Sequence, residues 1–208
     1  SSSCTVECGY TCSGETPDSC SSACGDGERA GDEACDDGNS MADDGGSPTC
    51  TLEAGYSCDL TECETSACNP VCGNGIRTPD EECDDGNTDA SDGCSSSCTV
   101  ECGYTCTTAE PNICSTTCGD SILAGNEVCD DGGAAEGCLD DCSGVKHGWE
   151  CSNTACGVSE CTGVCGNGVV TTGEACDDGN SMDGDGCSSS CTVECGYTCT
   201  TAEPNVCS

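Results

Sequence analysis

Four times along the chain, a Cys-Gly pair followed by Asp or Asn is answered eleven residues later by Cys-Asp-Asp-Gly. The openings are Cys24, Cys72, Cys118 and Cys165, spaced by 48, 46 and 47 residues, and the answering cysteines are Cys35, Cys83, Cys129 and Cys176. A chain that places its cysteines on this schedule is a tandem array of small units rather than one domain. Each unit then runs to a Gly-aromatic close, in the phrases "CTLEAGYSC", "CTVECGYTC" and "CSGVKHGWEC". The units alternate in kind. The first kind, at 72–117 and 165–208, carries "DGCSSSCTVECGYTCTTAEPN"; the second kind, at 24–71 and 118–164, has a longer tail with the cysteine pairs Cys63/Cys68 and Cys156/Cys161. Residues 1–23 read as the back half of a first-kind unit, and the phrase "SSSCTVECGYTC" at the start returns at 95–106 and 188–199. The expectation is a window of about two periods from a longer secreted precursor.

Composition says what holds such units together. There are 31 Cys among 208 residues, no Phe, one Trp and 30 Gly. Large apolar side chains are too scarce to build a core, and cysteine at this density marks a disulfide scaffold made in an oxidising compartment. Each bridge stabilises its unit by about 2–4 kcal/mol, mostly by restricting the unfolded chain. The successive units hold 4, 6, 7, 7 and 7 cysteines, and an odd number in a unit means that at least one bridge must leave it. The surplus residues Cys8, Cys102 and Cys195 and the tail cysteines are expected to pair between neighbouring units or chains. The connectivity itself stays open, since six cysteines already allow 15 pairings. The expected fold is a series of small disulfide-rich repeats, mostly irregular with short β-strands, in an elongated tandem array. Strands are expected around "TVECGYTC" and "NGVVTTGEAC". The aromatic residues Tyr10, Tyr56, Tyr104, Trp149 and Tyr197 are expected to pack on disulfides.

Three basic residues (Arg29, Arg77, Lys146) face 40 acidic ones, for a net charge of −37. Nucleic acid and anionic membrane surfaces are excluded as partners, because both require clustered Lys and Arg. No apolar run approaches the ~20 residues of a membrane span. A charge of this size repels itself unless cations bind. The acidic loop is where they would do so. It reads Cys83-Asp84-Asp85-Gly86-Asn87 to Asp92, Cys176-Asp177-Asp178-Gly179-Asn180 to Asp185, and, in 24–71, Asp36, Asp37, Asn39 and Asp44. Carboxylates and an Asn carbonyl on a Gly-turned loop supply the oxygen ligands that calcium prefers, although the spacing is not an EF-hand. The opposing reading is a solvated acidic turn satisfying its own backbone. Unit 118–164 lacks the Asn and is expected to bind worst.

The pattern "CGNGVVTTGEACDDGNSMDGDGCSSSCTVECGYTC" at 165–199 resembles the Myxococcus-type cysteine-rich repeat. That signature has a CGDG opening, E-x-C-D-D-G-N, G-D-G-C-S-x-x-C and a Gly-aromatic-x-Cys close. The resemblance runs through nearly the whole chain and implies a secreted or surface-exposed module without a family-wide enzymatic activity. Departures are Gly46 at the position of the G-D-G-C cysteine, the shortened "DDGGAAEGC", and the extra Cys102 and Cys195.

Other chemistries fare poorly. Thiolate metal storage needs Cys-x-Cys clusters, of which there are none, and secretion turns pairs such as Cys94/Cys98 toward disulfides rather than zinc. His147 is the single His, so no repeated acid–base constellation can be assembled and no enzyme is expected. No Asn-x-Ser/Thr sequon occurs, while Ser95–Ser97, Thr107–Thr108 and Ser115–Thr117 are candidate O-linked glycan sites or plain polar turns. Repeats this uniform, down to "TTAEPN", suit a building block better than a set of distinct recognition modules. The reading is a structural segment of an extracellular filament or surface appendage that self-associates, with calcium as the possible ligand of Asp36, Asp37, Asn39, Asp44, Asp84, Asp85, Asn87, Asp92, Asp177, Asp178, Asn180 and Asp185. The alternative is a calcium-dependent adhesion or spacer stalk of a larger secreted or cell-surface protein.

Overall fold

The computed structural model describes residues 5–14, 19–59, 61, 63–133 and 137–208. The chain divides into two compact units, Ser1–Glu101 with Cys106–Cys114, and Cys102–Thr105 with Ser115–Ser208. Among the described residues there is no helix, and so none long and apolar enough to cross a membrane. Among the described residues regular structure is limited to eight strands of three or four residues, paired antiparallel in sequence order. The pairs are β1 (Tyr10–Cys12) with β2 (Cys20–Ser22), β3 (Tyr56–Cys58) with β4 (Cys68–Pro70), β5 (Tyr104–Cys106) with β6 (Cys114–Thr116), and β7 (Trp149–Ser152) with β8 (Glu160–Gly163).

Each pair is cross-linked where its strands face one another. Cys12 lies opposite Cys20, Cys58 opposite Cys68 and Cys151 opposite Cys161, and each of these couples is a disulfide, as are Cys106–Cys114 and Cys199–Cys207. Isolated two-stranded ladders this short are unstable in water, so the bridge does the work that further strands would do elsewhere. The Gly-aromatic phrase forms strands, as expected, at four of its five occurrences; at 196–199 it makes only the isolated bridge Cys199 to Cys207. The stretch 167–176 forms no strand: Asn167 Oδ1 accepts the Val169 N–H (2.8 Å), and Asp177 takes the N–H groups of Gly166, Asn167 and Gly168. Side-chain acceptors have claimed the amides a ladder needs.

The cysteines make the core. In one unit Cys83, Cys94 and Cys98 are buried together, flanked by Cys72, Val100, Cys106 and Cys114. In the other, Cys176, Cys187 and Cys191 repeat the arrangement with Cys165, Cys199 and Cys207. A common pairing recurs in every repeat: Cys24–Cys50, Cys72–Cys98, Cys118–Cys142 and Cys165–Cys191 tie the opening to the turn before the Gly-aromatic phrase. Cys83–Cys94, Cys129–Cys138 and Cys176–Cys187 close the acidic loop. In repeat 118–164 the sulfurs of two bridges pack together, Cys129 Sγ lying 3.5 Å from Cys151 Sγ and 3.8 Å from Cys161 Sγ. Cys94 and Cys98 are both in disulfides, so neither offers a zinc thiolate.

Among the described residues two bridges leave their repeats. Cys8 pairs with Cys63 and Cys102 with Cys156, each across a sequence separation of 54 or 55 residues. Cys35 (buried) and Cys195 (exposed) are free, and Cys4 lies outside the described residues. The same joint is built beside each bridge. Gly9, in the left-handed region at φ +67°, packs on Ala30 so closely that a Cβ would stand 2.5 Å from the Ala30 methyl. Gly103 meets Ala124 and Ile122 in the same way, and Gly55 and Gly148 meet Thr78 with Ile76 and Thr171 with Val169. The turn of one repeat thus seats the opening loop of the next. The latter two joints carry no bridge; there the side-chain amide of the next repeat's opening Asn donates across the joint, Asn74 Nδ2 to the Gly55 carbonyl and Asn167 Nδ2 to the Gly148 carbonyl (3.4 Å each).

Candidate functional site

The first aspartate of each acidic loop is a structural anchor. Asp36, Asp84, Asp130 and Asp177 are at most 1% exposed, which a carboxylate tolerates only when its lone pairs are filled. Four N–H groups fill those of Asp177: Gly166 and Asn167 donate to Oδ2, and Gly168 and Gly179 to Oδ1, at 2.8–3.1 Å. Asp84 holds Gly73, Asn74, Gly75 and Gly86 identically. Asp36 holds Gly25, Gly27 and Gly38, and Asp130 holds Gly119, Ser121 and Gly132. The glycines are required by backbone shape: Gly73, Gly75 and Gly86 all have φ between +83° and +89°. Burial pushes the Asp177 carboxyl up, but the amides of Gly179, Gly168, Gly166 and Asn167 outweigh it and leave the group below its ordinary value.

A lock closes over this cradle from far along the repeat. Asp84 N donates to Asn112 Oδ1 (2.8 Å) while Asn112 N donates to the Asp84 carbonyl (2.8 Å), and Asn205 does the same for Asp177. In the second-kind repeats, Ser66 and Ser159 take the part through their hydroxyls and N–H groups. These four residues are 3–6% exposed. The Asn of "TTAEPN" is therefore interior, and its recurrence reflects the cradle rather than a uniform surface; Thr107 through Glu110 are exposed. The sequence signal for the lock was the pairing of Asn with first-kind units and Ser with second-kind units, 28–30 residues after the aspartate.

The remaining loop residues form a second cluster nearer the surface. Asn39, Asn87 and Asn180 accept through Oδ1 the N–H of Met41, Asp89 and Met182, at 2.6, 2.6 and 2.8 Å, in local turns. Their amide groups then donate to carboxylates: Asn39 to Asp44 (2.9 Å), Asn87 to Asp92 (3.0 Å), and Asn180 to both Asp178 (3.0 Å) and Asp185 (3.2 Å). Asp37 and Asp85 are pushed above the ordinary carboxylate range, mainly by burial and also by the charges of Asp44 and Asp92. Asp44 Oδ1 is buried without a partner. The expected twelve residues thus separate into two groups. The first aspartates are saturated by backbone, and the Asn carbonyls are engaged locally. The carboxylates of Asp37 with Asp44, Asp85 with Asp92, and Asp178 with Asp185 are what remain for a cation, and two carboxylates per loop satisfy part of a calcium shell.

One acidic residue escaped the motif. Glu101 accepts the N–H groups of Ser91 and Gly93, Glu194 those of Gly184 and Gly186, and Glu53 those of Asp43, Asp44 and Gly45, all at 2.7–3.1 Å. It braces the far end of the loop. In repeat 118–164 the place is taken by Lys146, whose Nζ lies 3.7 Å from Asp140, and loop residues 134–136 are outside the described residues.

Over residues 53–99 and 142–192, just under half of the chain, the sequence matches a family described as a domain of unknown function (DUF4215). Both matched stretches begin before a Gly-aromatic turn of a second-kind repeat and end after the "CSSSCT" turn of the next, so each contains one unbridged joint, Gly55 on Thr78 or Gly148 on Thr171. No curated protein and no solved structure matches the chain. The chain is thus a tandem array of disulfide-rich repeats, similar to that family over those two stretches.

Proposed function

We propose that this chain is a structural segment of an extracellular filament or surface appendage, built from stacked acidic repeats that self-associate. The observation that carries the reading is the joint. The same Gly-aromatic turn receives the next repeat at four places, twice under a disulfide. A protein that spends its cross-links on fixing one module to the next resists extension and unfolding, which is what a load-bearing or surface-coating polymer needs. Fourteen disulfides among the described residues fit an oxidising, extracellular setting. With a net charge of −37, chains repel one another sideways, so lateral association needs cations. Calcium at Asp37/Asp44, Asp85/Asp92 and Asp178/Asp185 supplies them in this reading, with water and neighbouring chains completing its shell.

Electron microscopy of the native material with and without a chelator tests this. Ordered filaments with an axial repeat near or below ~50 Å, the length of two compact ~25 Å repeats, support the structural role, and loss of order on chelation assigns calcium to it. Flexible strings that stay single at high concentration and in calcium overturn it in favour of a spacer stalk.

A further inference from the structure

Five Gly-aromatic turns lie within the described residues, and one is built differently. Gly9, Gly55, Gly103 and Gly148 are each packed against the opening loop of the following repeat. Gly196, at φ +93°, has nothing within 4 Å of where a Cβ would stand, and it is exposed. Tyr197 is 37% exposed, whereas Tyr56 is 8%. Yet Tyr197 is held for the same purpose: its hydroxyl donates to the Gly184 carbonyl (3.0 Å) as that of Tyr56 donates to the Asp43 carbonyl (2.6 Å). Beside it Cys195 is exposed and free, where its counterparts Cys8 and Cys102 are bonded to Cys63 and Cys156.

The sequence of 188–205 is identical to that of 95–112, so this face has the chemistry of the one at Cys102. What that face accepts is specific. Both bridged joints receive a second-kind repeat, which presents Ala followed by Gly in its opening loop (Ala30-Gly31, Ala124-Gly125). The missing side chain at Gly31 and Gly125 leaves room for the hydroxyls of Tyr10 and Tyr104; a Cβ at either glycine would lie 2.6 Å from the oxygen. First-kind repeats put Thr78-Pro79 or Thr171-Thr172 there and carry no counterpart of Cys63 or Cys156. We propose that Cys195, Gly196 and Tyr197 form a docking face for the opening loop of a second-kind repeat placed in tandem, locked by a disulfide from Cys195 to that repeat's counterpart of Cys156. The proposal holds whether or not the arrays associate further into filaments.

The bond forms by exchange with a small disulfide such as oxidised glutathione. The Cys195 thiol loses its proton and attacks one glutathione sulfur, giving a mixed disulfide and releasing one glutathione thiolate. The docked repeat's cysteine, likewise deprotonated, attacks the Cys195 sulfur and releases the second. The two protein thiols give up two electrons to the glutathione disulfide, and their two protons end on the two glutathione thiolates. Docking brings the sulfurs together, so exchange is fast at this pair and not at the buried Cys35, whose thiol is pushed up mainly by burial and by Asp37.

The test extends the full chain after Ser208 with a copy of residues 116–164, in a Cys4→Ser background so that the cysteine outside the described residues does not compete. The chain is refolded in a glutathione redox buffer, alkylated and mapped by mass spectrometry. The expected result is that the copy forms its three internal bridges, the Cys195 adduct seen in the unextended chain disappears, and a peptide joining Cys195 to the copy's Cys156 counterpart takes its place. A copy with intact internal bridges beside an alkylated Cys195, or Cys195–Cys195 dimers in preference to the tandem bond, overturns the proposal. Gly196→Ala in the extended chain should abolish the joining peptide while leaving Cys165–Cys191, Cys176–Cys187 and Cys199–Cys207 in place; a joining peptide formed at the wild-type level would overturn the close-approach argument.

Discussion

In repeat 165–208 the acidic loop is tied by Cys176–Cys187; in repeat 24–71 the second cysteine is replaced by Gly46, and Cys35 stands unpaired in the core. The rest of the two loops hardly differs. Gly25, Gly27 and Gly38 donate to Asp36 at 2.9–3.0 Å, and Gly166, Gly168 and Gly179 to Asp177 at 2.8 Å. Gly46 still bridges to Leu52 as Cys187 bridges to Val193, and Gly46 N still donates to Asp37 (2.9 Å). The lesson is a division of labour. The buried carboxylate with its ring of amides sets the shape of the loop, and the disulfide adds stability to a shape already determined. A cross-link acts mainly on the unfolded chain, whereas a buried acceptor facing several N–H groups is felt in the folded one.

The largest effect should therefore come from the carboxylate. Asp84→Ala strands the amides of Gly73, Asn74, Gly75 and Gly86, and at about 1 kcal/mol or more for each lost charge-assisted bond it should cost about 4 kcal/mol or more. A 46-residue repeat does not withstand that. Refolding followed by disulfide mapping should show Cys72–Cys98 and Cys83–Cys94 scrambled. Replacing both Cys83 and Cys94 with Ser should be milder, about 2–3 kcal/mol for an eleven-residue separation, with Cys72–Cys98 and Cys106–Cys114 still formed. Equal scrambling in the two variants would show that the bridge, not the anchor, organises the loop.

This ranking also explains what was legible in the sequence. The repeat, its two kinds, the disulfide character and the need for bridges between units follow from cysteine spacing and parity, which are counting facts. The strand at the Gly-aromatic phrase followed from alternation. The strand expected at 167–176 failed, because alternation says nothing about a side chain nine to eleven residues away taking the amides. The candidate site was half legible for the same reason. Asp-Asp-Gly-Asn looks like one ligand set, but its first Asp is fully buried in the ring of amides and its second half-buried nearer the surface, and only the fold separates them. Asn112 and Glu101 went unnoticed as loop partners because their contacts are 28 and 10 residues away in sequence.

Restoring the missing link sharpens the comparison from the other side. Gly46→Cys supplies the partner that Cys35 lacks, at a position where the loop already has the right path. The new Cβ would stand 2.5 Å from Asp37 Oδ2, so that carboxylate must swing aside. The net gain should be about 1–2 kcal/mol, less than the full value of an eleven-residue bridge. Mass spectrometry should find Cys35 bonded to residue 46, and denaturant unfolding without reductant should shift upward. A mutant in which both thiols stay free would mean that the loop of 24–71 has a different path from its sisters.

The smallest effect is that of pH, and it runs in one direction for Asp177 and in the other for Asp37 and Asp85. Asp177 is held below its ordinary value, so its contribution to stability is present above that value and is lost as pH falls through the lower, folded one. Asp37 and Asp85 are raised, so theirs is fully present below the ordinary value and is lost as pH rises through the higher, folded one. Acidifying from neutrality should first relieve the crowded outer carboxylates and stabilise the array slightly. Below the ordinary aspartate value of 3.8, the unfolded chain takes up a proton that the folded Asp177 does not, and stability turns downward. Denaturant midpoints followed by near-ultraviolet circular dichroism across pH 2–7 should pass through a maximum near the ordinary value. Calcium should flatten the acid side of neutrality, because a cation between Asp85 and Asp92 does for the ionised pair what a proton does for the neutral one. A midpoint that climbs without turning down to pH 2 would remove the cradle from the account and leave the outer pair as the titrating element.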